Sequence, residues 1–278
     1  MKFTKMQGLG NDYVYVNTFD EKVADPPALA IALSRPHFGV GADGLVLIGP
    51  STQADYAMRM FNADGSEGEM CGNAVRCIGK YVHDRGLTRD TRVTLATAGG
   101  IKTLELHVKD GSVDQVTVDM GEPAFEPTRI PVALPGERVQ HQPIDVGGQT
   151  LHITCVSMGN PHAVVFVDDP QAVDVEGIGR QIENHPWFPK RTNVEFVRVV
   201  RRDRLEMRVW ERGSGETLAC GTGAAASLVA AVLRGLADRS AVVQLAGGEL
   251  HVAWDADTNH VHQTGPARFV FDGVWLGG

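Results

Sequence analysis

Glu67-Gly68-Glu69-Met70-Cys71-Gly72-Asn73-Ala74 has a second copy in the chain, Glu216-Thr217-Leu218-Ala219-Cys220-Gly221-Thr222-Gly223. The two cysteines stand 220 − 71 = 149 positions apart. The offset holds without a gap from Met58-Arg59-Met60-Phe61 on Met207-Arg208-Val209-Trp210 to Arg85-Gly86-Leu87 on Arg234-Gly235-Leu236. The chain is thus an internal duplication with a cysteine at the centre of each half. In each copy a strand-like run passes through a Gly/Ser turn to Cys-Gly, and an apolar, helix-periodic segment follows that stops at a glycine. The fold expected is α+β: two pseudo-twofold-related domains, each a mixed, largely antiparallel sheet rolled around a central helix.

Each cysteine falls at a helix N-terminus, where backbone N–H groups and the helix dipole favour negative charge and lower a thiol's pKa. At least one of the pair is expected as a thiolate. Two such helices, related by the twofold of a duplication, would point their first turns at one small molecule from opposite sides. Opposed bases are what inversion at a carbon requires.

The 278 residues are 43% hydrophobic, enough for two domains with real cores. A net charge of −8 argues against nucleic acid and acidic membrane surfaces as partners. No apolar run is long enough to span a bilayer, and Met1-Lys2-Phe3-Thr4-Lys5-Met6 lacks the features of a signal peptide, so a cytoplasmic protein is expected. Its four cysteines are then thiols by default.

In chain order, residues 2–19 are strand-like and broken at Gly8-Leu9-Gly10-Asn11-Asp12. Residues 153–167 are broken correspondingly at Ser157-Met158-Gly159-Asn160-Pro161-His162. An Asn after Gly is ordinary turn chemistry, but Asn11 and Asn160 recur at equivalent sites upstream of both cysteines, which raises ligand contact to an equal reading. A helix is expected from Pro26-Pro27 to Leu33. Gly39-Val40-Gly41-Ala42-Asp43-Gly44 satisfies a dinucleotide-binding spacing but is rejected, because a proline-containing loop precedes it and a strand follows. Strands over residues 57–62 and 205–211 bring Asn62 to the mouth of one cysteine loop and Glu211 with Arg212 to the other. The cysteine helices should end near Arg85 and Arg234, with Gly86 and Gly235 just beyond. Residues 122–149 are proline-rich and have no counterpart in the first copy, so domain boundaries are expected at 1–120 plus 266–278 and 121–265, with the active site in the cleft between them. Phe269-Val270-Phe271 reads as a strand returning to the first half.

A lone cysteine is most simply a small buried hydrophobe. Cys77, in a helix body, and Cys155, in an alternating strand, fit that description. Cys71 and Cys220 do not, since each opens a helix from a polar turn. No metal-ligand spacing accompanies either one, so no metal is expected. Three classes remain open on the residues: a dithiol redox protein, an amino-acid-binding module, and proton transfer at carbon. The third needs one thiolate and one thiol, with the N–H groups at Gly72-Asn73 and Gly221-Thr222 placed to bind a carboxylate.

The motifs Gly10-Asn11-Asp12, Met70-Cys71-Gly72-Asn73-Ala74, Gly159-Asn160-Pro161-His162, Thr192-Asn193-Val194-Glu195, Trp210-Glu211-Arg212-Gly213 and Ala219-Cys220-Gly221-Thr222-Gly223 together resemble the diaminopimelate epimerases, of the pyridoxal-independent amino-acid racemase group. The resemblance implies cofactor-free interconversion of LL- and meso-2,6-diaminopimelate in lysine and peptidoglycan biosynthesis, with Cys71 and Cys220 as the acid–base pair and a homodimeric assembly. It also implies substrate contacts from Asn11, Asn62, Gly72, Asn73, Asn160, Asn193, Glu211, Arg212, Gly221 and Thr222, and tuning of the cysteines by His162 and Glu211. Gly44 stands where many members have glutamine. Proline racemase-like enzymes, which share the paired cysteines, are the second reading.

Overall fold

A computed structural model describes residues 1–277, which divide into two compact units, 1–119 with 264–277 and 120–263. Gly278, the last residue of the expected first domain, lies outside the described residues. The first unit contains β1 (Lys2–Gly8), β2 (Asn11–Asn17), α1 (Pro26–Ser34), β3 (Gly44–Gly49), β4 (Tyr56–Asn62), β5 (Glu67–Gly68), α2 (Gly72–Asp84), β6 (Arg92–Thr97), β7 (Gly100–Lys109) and β8 (Ser112–Asp119). The second contains β9 (Gln142–Val146), β10 (Gln149–Ser157), β11 (Pro161–Phe166), α3 (Val175–Glu183), β12 (Asn193–Arg201), β13 (Arg204–Glu211), β14 (Gly215–Thr217), α4 (Gly221–Leu233), β15 (Ser240–Leu245) and β16 (Gly248–Trp254). The chain returns to the first unit along β17 (Val261–Pro266) and ends it with β18 (Arg268–Val274).

The duplication is written in the strand registers. Val14 lies opposite Leu45 in the parallel pair β2/β3, and Ala163 opposite Val194 in β11/β12. Leu45 faces Phe61 across antiparallel β3/β4 as Val194 faces Trp210 across β12/β13. The parallel pairs β4/β6 and β13/β15 match in the same way, with Tyr56 on Leu95 and Leu205 on Val243. Both units are therefore mixed, largely antiparallel sheets of one design.

Residues 122–149 depart from the expectation that they have no counterpart. β9 within them pairs antiparallel with β10 just as β18 pairs with β1, so each unit receives an equivalent outer strand from a different part of the chain. A second departure is α3, a helix beyond those expected from the sequence. It starts at Val175 and ends at Glu183, each 149 positions beyond the ends of α1. Asp25 and Asp174 cap these helices by accepting the N–H of Ala28 and Gly177. As expected, residues 39–44 run into β3 with no helix after them.

Strand pleating sends alternate side chains to opposite faces. In the first unit Val14, Val16, Leu45, Leu47 and Phe61 share a core with Ala30 and Leu33 of α1. Tyr15, between the two valines, turns the other way and meets Cys77 of α2. In the second unit Ala163, Val165, Val194, Phe196 and Trp210 share a core with Val175 and Ile182 of α3. The other face of that sheet carries α4, which packs against β10, β11, β12, β13, β15 and β16. Among the described residues, no helix is long and apolar enough to cross a membrane.

Both cysteine helices stop in the same way. Gly86 and Gly235 take φ of 77° and 70°, a left-handed conformation open to glycine at little cost. Their N–H groups bond His83 O and Val232 O, and the next residues, Leu87 and Leu236, bond Val82 O and Ala231 O. These paired bonds satisfy the last carbonyls of each helix.

Near its C-terminal end α2 buries a charge network. Lys80 Nζ donates to Asp84 Oδ2 at 2.7 Å, to Ser112 Oγ at 2.9 Å and to Val113 O at 2.6 Å. Burial alone would raise the Asp84 carboxyl, but the bonds from Lys80, Ser112, the Val113 N–H and His83 outweigh it and hold the group at about 2. A carboxyl depressed in the folded state adds stability above its unfolded pKa, and that stability is lost as pH falls through the folded value. Asp84→Asn should therefore cost about 2 kcal/mol or more at neutral pH in urea unfolding. The gap from wild type should close between about pH 4 and pH 2. A deficit that does not vary with pH would rule out this ion pair as its source.

Candidate active site

Cys71 and Cys220 are the N-cap residues of α2 and α4, both in extended backbone conformation. The helical ladders begin at Val75 N–H to Cys71 O, 2.9 Å, and Ala224 N–H to Cys220 O, 3.0 Å. The N–H groups of Gly72 and Asn73, and of Gly221 and Thr222, thus precede any intrahelical partner.

In the first unit, β2 begins at Asn11, whose Oδ1 accepts from Cys71 Sγ and from Asn73 Nδ2, each at 3.3 Å. Asn73 is oriented in turn by Arg76, whose Nη2 donates to Asn73 Oδ1 at 2.5 Å while its Nε donates to Pro266 O at 3.2 Å. Burial works against the Arg76 charge, and its nearness to Cys77, Cys71 and Tyr15 works for it. Asn62, at the end of β4, donates to Ser66 Oγ at 3.0 Å within its own turn. Gly44 pairs with Asn62 across β3/β4, and a Cβ there would fall 2.0 Å from Phe61 O, so this backbone has no room for a longer residue.

In the second unit the pleat decides which groups reach Cys220. Ala163, Val165, Val194 and Phe196 face α3, so His162 on β11 and Glu195 on β12 face α4. Both are wholly buried, and His162 Nδ1 lies 2.7 Å from Glu195 Oε1. His162 Nε2 meets Asn160 Oδ1 at 3.0 Å, Asn160 Nδ2 donates to Thr222 Oγ1 at 3.2 Å, and Thr222 Oγ1 lies 3.6 Å from Cys220 Sγ. Gly223 N–H also donates to Cys220 Sγ, at 3.4 Å. Glu211 accepts from Thr217 Oγ1 at 2.5 Å and hydrogen-bonds Cys220. Asn193 braces two strand ends, donating to Pro161 O at 3.0 Å and accepting the Arg212 N–H at 2.8 Å. Arg212 is exposed, with Nη1 donating to Lys190 O at 3.2 Å.

The expectation that a helix N-terminus lowers the thiol is reversed at Cys220. Burial and the nearby carboxylates Glu211 and Glu195 push this thiol well up, against the opposing bonds from Thr222 and the Gly223 N–H. Burial likewise raises the Glu211 carboxyl, with Thr217, Cys220 and His162 pulling it down. Burial raises Cys77 to about 11 and pushes Cys155 up further, so both stay thiols.

Within the first unit the structure gathers Asn11, Cys71 and Asn73 into one hydrogen-bonded set. Within the second it gathers Asn160, His162, Glu211, Thr222 and Cys220, with Asn193 and Arg212 at the adjoining strand ends. Sequence reasoning missed Arg76 and Glu195. Arg76 is a charge in the second turn of α2, four positions before Lys80, and Glu195 lies two positions from Asn193, hence on the same face of β12.

Comparison with known proteins bears on what such a pair of cysteines belongs to. The family model for diaminopimelate epimerase matches residues 3–126 and 154–270. A diaminopimelate epimerase of Acetivibrio thermocellus is 56% identical over 98% of each chain, and one of Methanococcus maripaludis strain C5 is 50% identical over 98% of this chain and 99% of its own. Among solved structures, a probable proline racemase from Agrobacterium radiobacter K84 superposes with a TM-score of 0.74 at 17% identity, covering 99% of this chain and 93% of that one. A Bacillus anthracis protein of the PhzF family superposes with a TM-score of 0.73 at 16% identity over 99% of each. These two likenesses establish the shared fold alone. The sequence identities and the family match reach further: the chain belongs to the diaminopimelate epimerase family.

Proposed function

We propose that this protein interconverts LL- and meso-2,6-diaminopimelate without a cofactor, as a cytoplasmic homodimer, with Cys71 and Cys220 exchanging roles as base and acid on opposite faces of one α-carbon. The observation that carries the reading is a cysteine capping the buried helix at the same place in both copies of a duplicated fold, in a chain of this family. Uncatalysed, the α-proton is hard to remove. Helix-start N–H groups at Gly72 and Asn73, and at Gly221 and Thr222, supply preorganised donors for the α-carboxylate and the charge that develops on it. Cys71, beside the buried Arg76 cation, serves as the resting base, and Cys220, flanked by Glu211, as the resting acid. Asn11, Asn62, Asn160, Asn193, Glu211 and Arg212 bind the two amino-acid ends, while His162 and Glu211 tune Cys220. The proline racemase reading rests on shared fold alone.

Incubation with LL-diaminopimelate in D₂O tests the proposal directly. Wild type should place deuterium at the α-carbon with inversion, a result that neither a redox protein nor a binding module gives. Cys71→Ala and Cys220→Ala should each lower turnover by at least about 10²–10⁴-fold. Cys77→Ala and Cys155→Ala should keep it and lose only about 1–2 kcal/mol of stability. Near-native turnover in either of the first two variants would remove the two-base assignment.

The mechanism also fixes the pH response. Below the paired titrations no thiolate remains, and above them no thiol, so kcat/KM should be bell-shaped with limbs that belong to the coupled pair. Because the Glu211 carboxylate favours the Cys220 thiol, Glu211→Gln should move the alkaline limb to lower pH. A limb that stays in place would separate Glu211 from Cys220.

Substrate range follows from the number of polar groups that one amino-acid head leaves over. Lysine lacks the distal carboxylate and proline lacks both distal groups, leaving polar groups of the site unpaired at about 1–3 kcal/mol each. Their kcat/KM should fall accordingly, and Asn62→Ala and Asn193→Ala should reduce discrimination between these substrates and diaminopimelate. Comparable kcat/KM on proline would refute the assignment.

A further inference from the structure

Glu195 is wholly buried, yet its Oε2 has no hydrogen-bond partner among the described residues. Leaving a carboxylate oxygen unpaired in the interior is costly, and a carboxyl retained for stability alone is normally satisfied on both oxygens. The fold itself does not ask for one, since the equivalent position of the first copy, 149 residues earlier, is the buried Val46. The same asymmetry runs through its neighbours. Tyr13 stands where the second copy has His162, and Asn62 where it has Glu211.

What Glu195 touches explains its presence. Its Oε1 takes His162 Nδ1 at 2.7 Å and lies against the first turn of α4, where a Cβ on Gly223 would fall 2.7 Å from it. Beyond the imidazole the bonds run one way. His162 Nε2 donates to Asn160 Oδ1, Asn160 Nδ2 to Thr222 Oγ1, and the Thr222 hydroxyl is left to donate to Cys220 Sγ, at 3.0, 3.2 and 3.6 Å. With Nε2 committed as a donor, the contact at Nδ1 holds one proton between the ring and the carboxyl, whichever atom carries it. The groups acting electrostatically around this pair are Glu211, Cys220 and Cys155. The Glu195 charge opposes a Cys220 thiolate, and the proton shared with His162 offsets part of that opposition.

We propose that Glu195 is a positioning residue for the epimerisation: by sharing one proton with His162 it fixes the imidazole as the head of a donor chain, His162 to Asn160 to Thr222, that ends on Cys220 and holds its thiolate once the thiol has given its proton to the substrate carbon. In that step the S–H bond breaks, the α C–H bond forms, and the electron pair left on sulfur is met by the Thr222 hydroxyl and the Gly223 N–H. No oxidant or further reactant enters. The inference rests on the two-base reading of Cys71 and Cys220.

Glu195→Gln in the full chain keeps the volume and removes the shared proton. It should lower kcat by roughly 10–100-fold, the size usual for a supporting group behind a reactive one, with KM within about threefold and little change in Tm. In ¹⁵N-histidine NMR, wild type should show a strongly downfield proton on His162 Nδ1 that is absent from the variant. Glu195→Val, which restores the residue of the first copy, should behave likewise and serves if Gln does not fold. Wild-type kcat in either variant, a His162 spectrum unaltered by substitution, or failure of both variants to fold would overturn the proposal. Cys71→Ala and Cys220→Ala measured alongside separate the two ideas. Activity in either cysteine variant sinks the two-base reading, whereas inactive cysteine variants with a fully active Glu195→Gln sink only the role of Glu195.

Discussion

Each unit is built around a helix with almost no solvent-facing side, and that single constraint orders the rest. A buried helix must satisfy or exclude every polar group along its length. α4 does so by composition, with Ala, Leu and Val from Ala224 to Leu233 apart from Ser227. α2 instead partners its polar side chains, Arg76 with Asn73 and Pro266 O, and Lys80 with Asp84, Ser112 and Val113 O. At their C-terminal ends, glycine-terminated turns close the last carbonyls. The N-terminal ends cannot be closed in the same way, because three or four N–H groups always precede the ladder. A small anion is the natural partner for such groups, and the cysteine caps sit beside them.

The two copies keep one backbone design and diverge in charge. Around Cys71 lie amides and a guanidinium, and around Cys220 lie an imidazole and two carboxyls. Identical surroundings would hold both thiols in the same protonation state, which would serve neither direction of the proposed two-base reaction. The copies diverge at a few positions, Val46 against Glu195 and Asn62 against Glu211, without disturbing the strand registers.

Much of this was legible in the sequence because a duplication repeats its signals. Paired Cys-Gly turns, helix-stopping glycines at 86 and 235, and the strand leading to each loop reinforce one another at a fixed offset. α3 escaped because Gly177 and Gly179 weaken its helical signal, and Gly179 is there so that the helix can approach Trp210, where a Cβ would lie 2.6 Å from the side chain. β9 was hidden in a proline-rich stretch. Glu195 was visible as a residue but not as a buried one, since its burial depends on which face of β12 meets α4. The raised Cys220 thiol could not be foreseen from the helix position alone, because desolvation and neighbouring carboxylates oppose the helix end and outweigh it.

The outer strands carry a consequence for synthesis. β9 lies beside β10 in sequence, so the second unit has its whole sheet once residue 263 has emerged. β1 must wait for β18, and the pair joins Lys2 to Val274, nearly the full length of the chain. On the ribosome the half that is made first is therefore completed last. Until then β1 presents an unpaired edge to the crowded cell, the kind of edge on which strands from other chains can add.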